Sequence, residues 1–294
     1  MNSESDIIIA LCAVFEDEYK PLTRAKFWKL YHDYGDNFGD MAYSKNEGLA
    51  DIMKRRDAIS FGTEKLEEWG IRILTVLDKD FPAELLEKLG DFCPPLLYAY
   101  GNLNILRNKF VGYVGSRNID EEDIVWTENK LQKDLTKGYK VVTGGANGID
   151  SVAAKYALES KEPLTVFLPV SITDKSKKSF VGNHLYDQNL LLLSHISPFT
   201  PRSKASFISG AMERNRFIYA LSTHTVVVRS GLNNGGTWKG AVDAIKHNWT
   251  QVFVWDNKNY PGNQKLIETG AAALSDAGEP VNDKNISEQL SLFT

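Results

Sequence analysis

From residue 109 onward, short and continuously apolar runs alternate with segments long enough for helices, and that alternation leaves few folds open. The runs are Phe110–Val114, Lys140–Thr143, Leu164–Leu168, Leu190–Ser194, Thr225–Val228 and Gln251–Trp255, most of them bounded by Gly, Pro, Asn or Ser. Helix-length stretches, Asp123–Lys137, Ile149–Ser160 and Thr237–Lys246, lie between several of them. A strand that is apolar at every position must be buried on both faces, and the intervening helices supply the cover. The expectation is an α/β protein with a doubly wound, mostly parallel sheet.

The first seventy residues read differently. Ile7–Phe15, Ala25–Tyr34 and Gly48–Ile59 are helix-length, with breakers at Gly35-Asp36-Asn37 and Phe61-Gly62-Thr63. A β-rich run then covers Ile71–Leu77, a helical stretch Ala83–Leu89, and an extended segment Pro94–Asn102 ends in a turn. The division expected is a small N-terminal helical domain over 1–70, a Rossmann-like domain over 71–275, and an acidic tail over 276–294.

In doubly wound sheets, ligands sit beyond the carboxyl ends of the strands. Three glycine-rich loops fall there. They are Gly112-Tyr113-Val114-Gly115-Ser116-Arg117, Thr143-Gly144-Gly145-Ala146-Asn147-Gly148-Ile149-Asp150 and Ser230-Gly231-Leu232-Asn233-Asn234-Gly235-Gly236-Thr237. Glycine lets a backbone approach a ligand, and a helix N-terminus offers free N–H groups and a positive dipole end, so such loops suit phosphate. The same glycines also suit tight βα turns, and Asp150 suits a helix start by dipole alone.

Neither nucleotide fingerprint, G-x-x-x-x-G-K-[ST] or G-x-G-x-x-G with its downstream acid, is present. Two cysteines, Cys12 and Cys93, make no disulfide framework or Cys-rich zinc site, and the five histidines form no His-x-x-x-His pair. Neither metal nor cofactor is expected. Ile7–Phe15 is too short to span a bilayer and follows no basic segment, so the reading is cytoplasmic.

The net charge of −4 argues against a uniformly basic nucleic-acid coat, but the charge is segregated. Residues 174–246 carry 10 basic and 4 acidic side chains, whereas residues 1–100 carry 12 and 19. Within the basic stretch, Arg214-Asn215-Arg216 is expected at the start of a helix over Glu213–Leu221, where cations oppose the macrodipole and so suggest a ligand. Lys175, Lys177, Lys178, Arg202 and Lys204 share loops with Phe180, Phe199 and Phe207. Basic grooves with aromatics hold single strands, although loop lysines are also ordinarily solvated and aromatics ordinarily core.

Five segments, in order, resemble the DNA-processing protein A (DprA/Smf) family. The lead-in is Ile71-Arg72-Ile73-Leu74-Thr75, Asp80-Phe81-Pro82, Pro94-Pro95-Leu96-Leu97-Tyr98 and Gly101-Asn102. Val114-Gly115-Ser116-Arg117 is similar to the family's G-S-R loop, and Thr143–Asp150 to its [ST]-G-x-A-x-G-I-D segment. Glu213–Ser222 resembles its R-N-R-x-I-x-x-L-S helix, and Pro261–Ala271 its closing N-x-L-I-x-x-G-A. The resemblance implies a non-enzymatic homodimer that binds and protects single-stranded DNA without a cofactor and assists loading of a RecA-type recombinase during DNA uptake. Carried over, Ser116, Arg117, Gly144, Gly145, Asn147, Gly148, Arg214 and Arg216 line the DNA pocket. Asn215 fixes the Gly144–Gly148 loop, and Lys178 occupies the loop of a DNA-contacting lysine.

The chain departs from the family where Ser230–Ala241 is longer and richer in glycine, and where the sequence ends at Thr294 with no winged helix expected. The N-terminal region also lacks a clear helix-hairpin-helix turn. These departures leave room for a variant role such as phage defence. Gly235, Gly236 and Thr237 also echo the P-G-G-x-G-T-x-x-E motif of lysine-decarboxylase-like (LOG) nucleotide hydrolases, but Gly240 stands where that motif has its glutamate. A sensor of a free nucleotide would use the same loops.

Overall fold

The computed structural model describes residues 4–35, 55–175, 184, 188–200 and 204–281 of the 294-residue chain. Three helices come first: α1 (Glu4–Cys12), α2 (Arg24–Tyr34) and α3 (Arg56–Glu68). Strand β1 (Ile71–Thr75), α4 (Ala83–Leu89) and β2 (Leu96–Gly101) lead into β3 (Phe110–Val114), α5 (Glu121–Thr136), β4 (Lys140–Thr143), α6 (Ile149–Glu159) and β5 (Leu164–Phe167). There follow α7 (Ile172–Lys175), β6 (Leu190–Ser194), α8 (Lys204–Leu221), β7 (His224–Val227), α9 (Gly235–Lys246), β8 (Gln251–Trp255), α10 (Pro261–Glu268) and β9 (Ala272–Leu274).

The strands form one sheet in the order β1-β2-β6-β5-β4-β3-β7-β8-β9. From β6 to β9 all neighbours are parallel, while β2 runs antiparallel to both β1 and β6. The doubly wound α/β reading therefore holds. The chain winds outward from β3 to β6, then returns to place β7 on the other side of β3. The direction of winding reverses at that junction, so the loops leaving β3 and β7 diverge and open a crevice between them.

Continuous apolar runs are what two-sided burial demands, because successive strand residues point to opposite faces. In β6, Leu191 and Leu193 enter one core and Leu190 and Leu192 the other. The first core is closed by Phe217 and Ile218 of α8, Ala241 and Ala244 of α9, and Leu266 of α10. The second is closed by Trp126 and Leu131 of α5 and by Ile149, Ala153 and Ala157 of α6. Ile8 and Leu11 of α1 and Phe27 and Trp28 of α2 are buried in the first cluster, alongside sheet residues.

Several expected boundaries shift. Phe61-Gly62-Thr63 does not break a helix but lies inside α3. A Cβ on Gly62 would sit 2.1 Å from Phe15 Cδ1, so the glycine is there for close packing of that ring. Helix α1 stops at Cys12 rather than Phe15, and β1 stops at Thr75, whose N–H donates to Asp78 Oδ2 at 2.7 Å. Helix α8 begins nine residues before the expected start at Glu213, with consequences for the site. Most of the Gly48–Ile59 expectation falls outside the described residues, as do Lys177, Lys178, Phe180, Arg202 and the tail beyond Val281. Among the described residues no helix is long and apolar enough to cross a membrane.

Arg55 ties the N-terminal helices together. Its side chain is buried and donates to Ala10 O at 2.5 Å, Ala13 O at 3.1 Å and Asp17 Oδ2 at 2.7 Å, so one guanidinium satisfies the carbonyls at the end of α1. Loss of charge-assisted bonds of this kind costs about 2 kcal/mol. Arg55→Ala is expected to lower the urea midpoint by a corresponding amount with an unchanged m-value; an unchanged midpoint would show that the strap contributes nothing.

Candidate functional site

All three glycine-rich loops leave the same carboxyl edge of the sheet, and two of them flank the reversal between β3 and β7. Between them opens a cleft of about 780 Å³. The loop after β3 is pinned by its backbone: Ser116 N donates to Arg229 O at 2.9 Å, and Ser116 O accepts from Ile149 N at 3.2 Å. Ser116 Oγ closes a turn with Asn118, donating to its carbonyl at 2.8 Å and accepting from its N–H at 3.0 Å. Thr237 Oγ1 donates to Gly115 O at 3.0 Å, joining the two flanking loops. With these polar groups spent on the scaffold, Arg117 is exposed and has no carboxylate partner among the described residues.

Helix α9 begins at the cleft. Its N-cap, Asn234, makes no side-chain capping bond, and Gly235 and Gly236 are exposed. Gly235 has φ 88° and open space where a Cβ would stand. The first N–H groups of α9 and its positive dipole end thus face the crevice. Lys239, exposed and without an ion-pair partner among the described residues, lines the same hollow.

Arg214 forms the floor. It is 4% exposed, and Nη1 donates to Asp150 Oδ2 at 3.2 Å. A Cβ on Gly144 would fall 1.2 Å from that Nη1, so only glycine lets the guanidinium cross the β4–α6 loop. Gly148 performs a similar service with φ 82°, since its Cβ would lie 2.1 Å from Ser116 O. Burial pushes the Asp150 carboxyl up, against the attraction of Arg214 and bonds from the Ala146 and Gly144 N–H groups. Burial likewise pulls the Arg214 guanidinium down despite Asp150. A buried ion pair is weak evidence for stability, because taking both charges out of water offsets their attraction. Among the described residues Arg214 Nε and Tyr219 Oη, both on the cleft floor, find no hydrogen-bond partner. Buried donors left in this way call for an acceptor from outside the chain, solvent or ligand.

Part of the lining is apolar. Phe207, Ile208 and Met212 of α8 line the cleft and remain 41%, 53% and 42% exposed. Phe207 is thus a helical residue beside the cleft rather than a loop aromatic, whereas Phe199 packs away from it on Phe15 and Trp69, with centroids 5.7 and 5.8 Å apart.

The cleft therefore gathers Gly115, Ser116, Arg117, Arg214, Asn215, Gly235, Gly236 and Thr237. Gly144 lies beneath Arg214; Gly145, Asn147 and Gly148 do not line the cleft, and their loop contributes Ala146 instead. Asn215 donates to Gly236 O at 3.1 Å, holding the α9 turn rather than the Gly144–Gly148 loop. Arg214 and Arg216 lie within α8, not at its start, so the macrodipole argument for them fails. Two positions apart on a helix they face different ways, and Arg216 lines a small adjoining hollow. Two residues escaped the sequence reading. Lys239 carries the signal misplaced onto Arg214, a cation close behind a helix N-terminus. Arg229 binds Asp120 and Asp123 at 3.0 and 2.8 Å and fixes the loop after β7 to the start of α5.

The fold and cleft define a Rossmann-like α/β protein with a cationic, glycine-rich site at the point where its winding reverses. A model of the DNA recombination-mediator protein A family matches residues 72–285, and the chain belongs to that family. It is 27% identical to the DNA processing protein DprA of Bacillus subtilis over 232 residues, which cover 74% of each chain. The structure of DNA processing protein A from Streptococcus pneumoniae superposes with a TM-score of 0.64 at 23% identity, over 86% of this chain and 95% of that one. The Helicobacter pylori protein, whose structure concerns its single-stranded DNA binding mode, superposes with a TM-score of 0.55 at 24% identity, over 75% of this chain and 95% of that one.

Removing one member of a buried ion pair strands the other and costs about 3–5 kcal/mol, while replacing both by apolar groups is often neutral. Asp150→Ala is accordingly expected to be strongly destabilising in urea titration, and the double variant Asp150→Leu with Arg214→Met to recover most of the loss. Additive losses in the double variant would contradict the assignment of the pair.

Proposed function

We propose that this chain binds single-stranded DNA in the cleft between the β3 and β7 loops, shields the strand, and hands it to a RecA-type recombinase, working as a homodimer without catalysis. The observation that carries the reading is the mixed lining of the cleft. Arg117 and Lys239, without ion-pair partners among the described residues, and the open start of α9 suit a phosphate, while the exposed Phe207, Ile208 and Met212 of the same lining suit a base. A free inorganic anion would need the polar part only. Neutralised phosphates plus stacked bases are how single strands are held. Family membership and the H. pylori relative support the same ligand.

A nucleotide-hydrolysing reading lacks its carboxylate. Gly240 is buried against Tyr219, where a Cβ would already stand 2.9 Å from Cε2, and Asp150, the one carboxylate lining the cleft among the described residues, is engaged by Arg214. Binding of a free nucleotide in the same loops is separated from strand binding by length: affinity rises from mononucleotide to oligonucleotide only for a strand binder.

Arg117→Ala is expected to weaken binding of a labelled thymidine oligonucleotide by roughly 1–3 kcal/mol in fluorescence anisotropy, with a shallower dependence on salt. Lys239→Ala is expected to act in the same direction with a smaller effect. Unchanged affinity and salt slope in both variants would overturn the site. Equal affinity for mononucleotide and oligonucleotide would overturn the strand in favour of a free nucleotide.

A further inference from the structure

Beyond the main cleft, past Asn215 and Gly236, the small hollow containing Arg216 begins, and Met212 and Lys239 belong to both. Beside Arg216 the 3₁₀ turn Gly90–Phe92, the first turn of α2 and the middle of α8 meet. Phe92 is 44% exposed, yet two guanidinium groups lie over its ring, Arg216 with Cζ 5.1 Å from the centroid and Arg24 at 5.8 Å. Arg24 pairs with Glu213, which also approaches His195 at 3.4 Å. Arg216 has no such partner; Asp243 shares its hollow without forming an ion pair to it among the described residues. The two arginines repel one another: burial first, and Arg216 second, hold the Arg24 guanidinium below its ordinary pKa. His247 continues the surface, 6.4 Å from Phe92 and stacked on Trp249 at 5.3 Å.

We infer that Phe92, Arg24 and Arg216 form a second nucleotide subsite, which takes the strand as it leaves the main cleft across Asn215 and Gly236. This rests on the strand-binding reading above and extends it. A ring that stays 44% exposed beside two cations, only one of them neutralised among the described residues, offers apolar surface for a base and a charge for the adjoining phosphate. Met212, Asn215, Gly236 and Lys239 line both hollows, so the two adjoin. The helix α2 that brings Arg24 lies outside the segment matched to the family, so this subsite depends on the N-terminal region of this chain. A protein partner seated on the same patch is the competing occupant.

The test uses the full chain and two labelled thymidine oligonucleotides, one of about 4 and one of about 20 nucleotides, measured by anisotropy. Phe92→Ala is expected to weaken the long complex about tenfold and to leave the short one within about twofold, with Phe92→Tyr restoring the long complex. Arg216→Gln is expected to reduce the salt slope of the long complex by about 0.7, the loss of one phosphate contact on a single strand. Arg117→Ala weakens both lengths if the main cleft is the primary site. Variants at Phe92 and Arg216 that bind both lengths like wild type would overturn the subsite, leave the strand-binding reading standing, and assign the patch to a protein contact. Wild type that binds neither length would overturn both. Because Phe92 is partly exposed, its loss leaves the core intact, and an unchanged melting temperature separates a lost subsite from a lost fold.

Discussion

Seven parallel strands have a single carboxyl edge, and every loop leaving it must share one narrow strip of surface. That crowding explains the glycines. Gly144 yields its side-chain space to Arg214, and Gly148 yields its own to the Ser116 carbonyl. Hydroxyls go the same way, with Ser116 and Thr237 spent on holding the loops after β3 and β7 to each other and to themselves. What remains free for a ligand among the described residues is what the packing does not consume: Arg117, Lys239 and the start of α9.

The reversal of winding at β3 and β7 decides where these leftovers converge. If β7 paired elsewhere, the loops after β3 and β7 would each be an ordinary βα turn with no crevice between them. The Arg229 clamp to Asp120 and Asp123 and the Arg214–Asp150 pair are the charged devices that keep this junction in register. Burial works against the charged form of both partners of the second, pushing the Asp150 carboxyl up and pulling the Arg214 guanidinium down. An acidic molecule can carry such a site, because the relevant field is that of a few unpaired cations over a helix start and not the net charge of the chain.

Much of this was legible in the residues. Four strands, Phe110–Val114, Lys140–Thr143, Leu190–Ser194 and Gln251–Trp255, fall where their runs place them, since residues buried on both faces leave the interior of each run apolar. Helix α8 extends nine residues further toward the N-terminus than expected, and Gly210 lies within it, where a Cβ would meet Pro169 O at 2.5 Å. The shortened helix made Arg214 and Arg216 seem terminal, and Lys239, the cation that does follow a helix start, passed unnoticed.

The sequence by itself determined the parallel α/β architecture, the three loops at one sheet edge, and the family, because these rest on local patterning and ordered motifs. Only the tertiary structure decided which cations are free. Arg229, Arg214 and Arg24 are each matched by an acid distant in the chain, whereas Arg117, Lys239 and Arg216 have no such partner among the described residues. Pairing of that kind is set by which elements pack together, and no spacing along the chain records it.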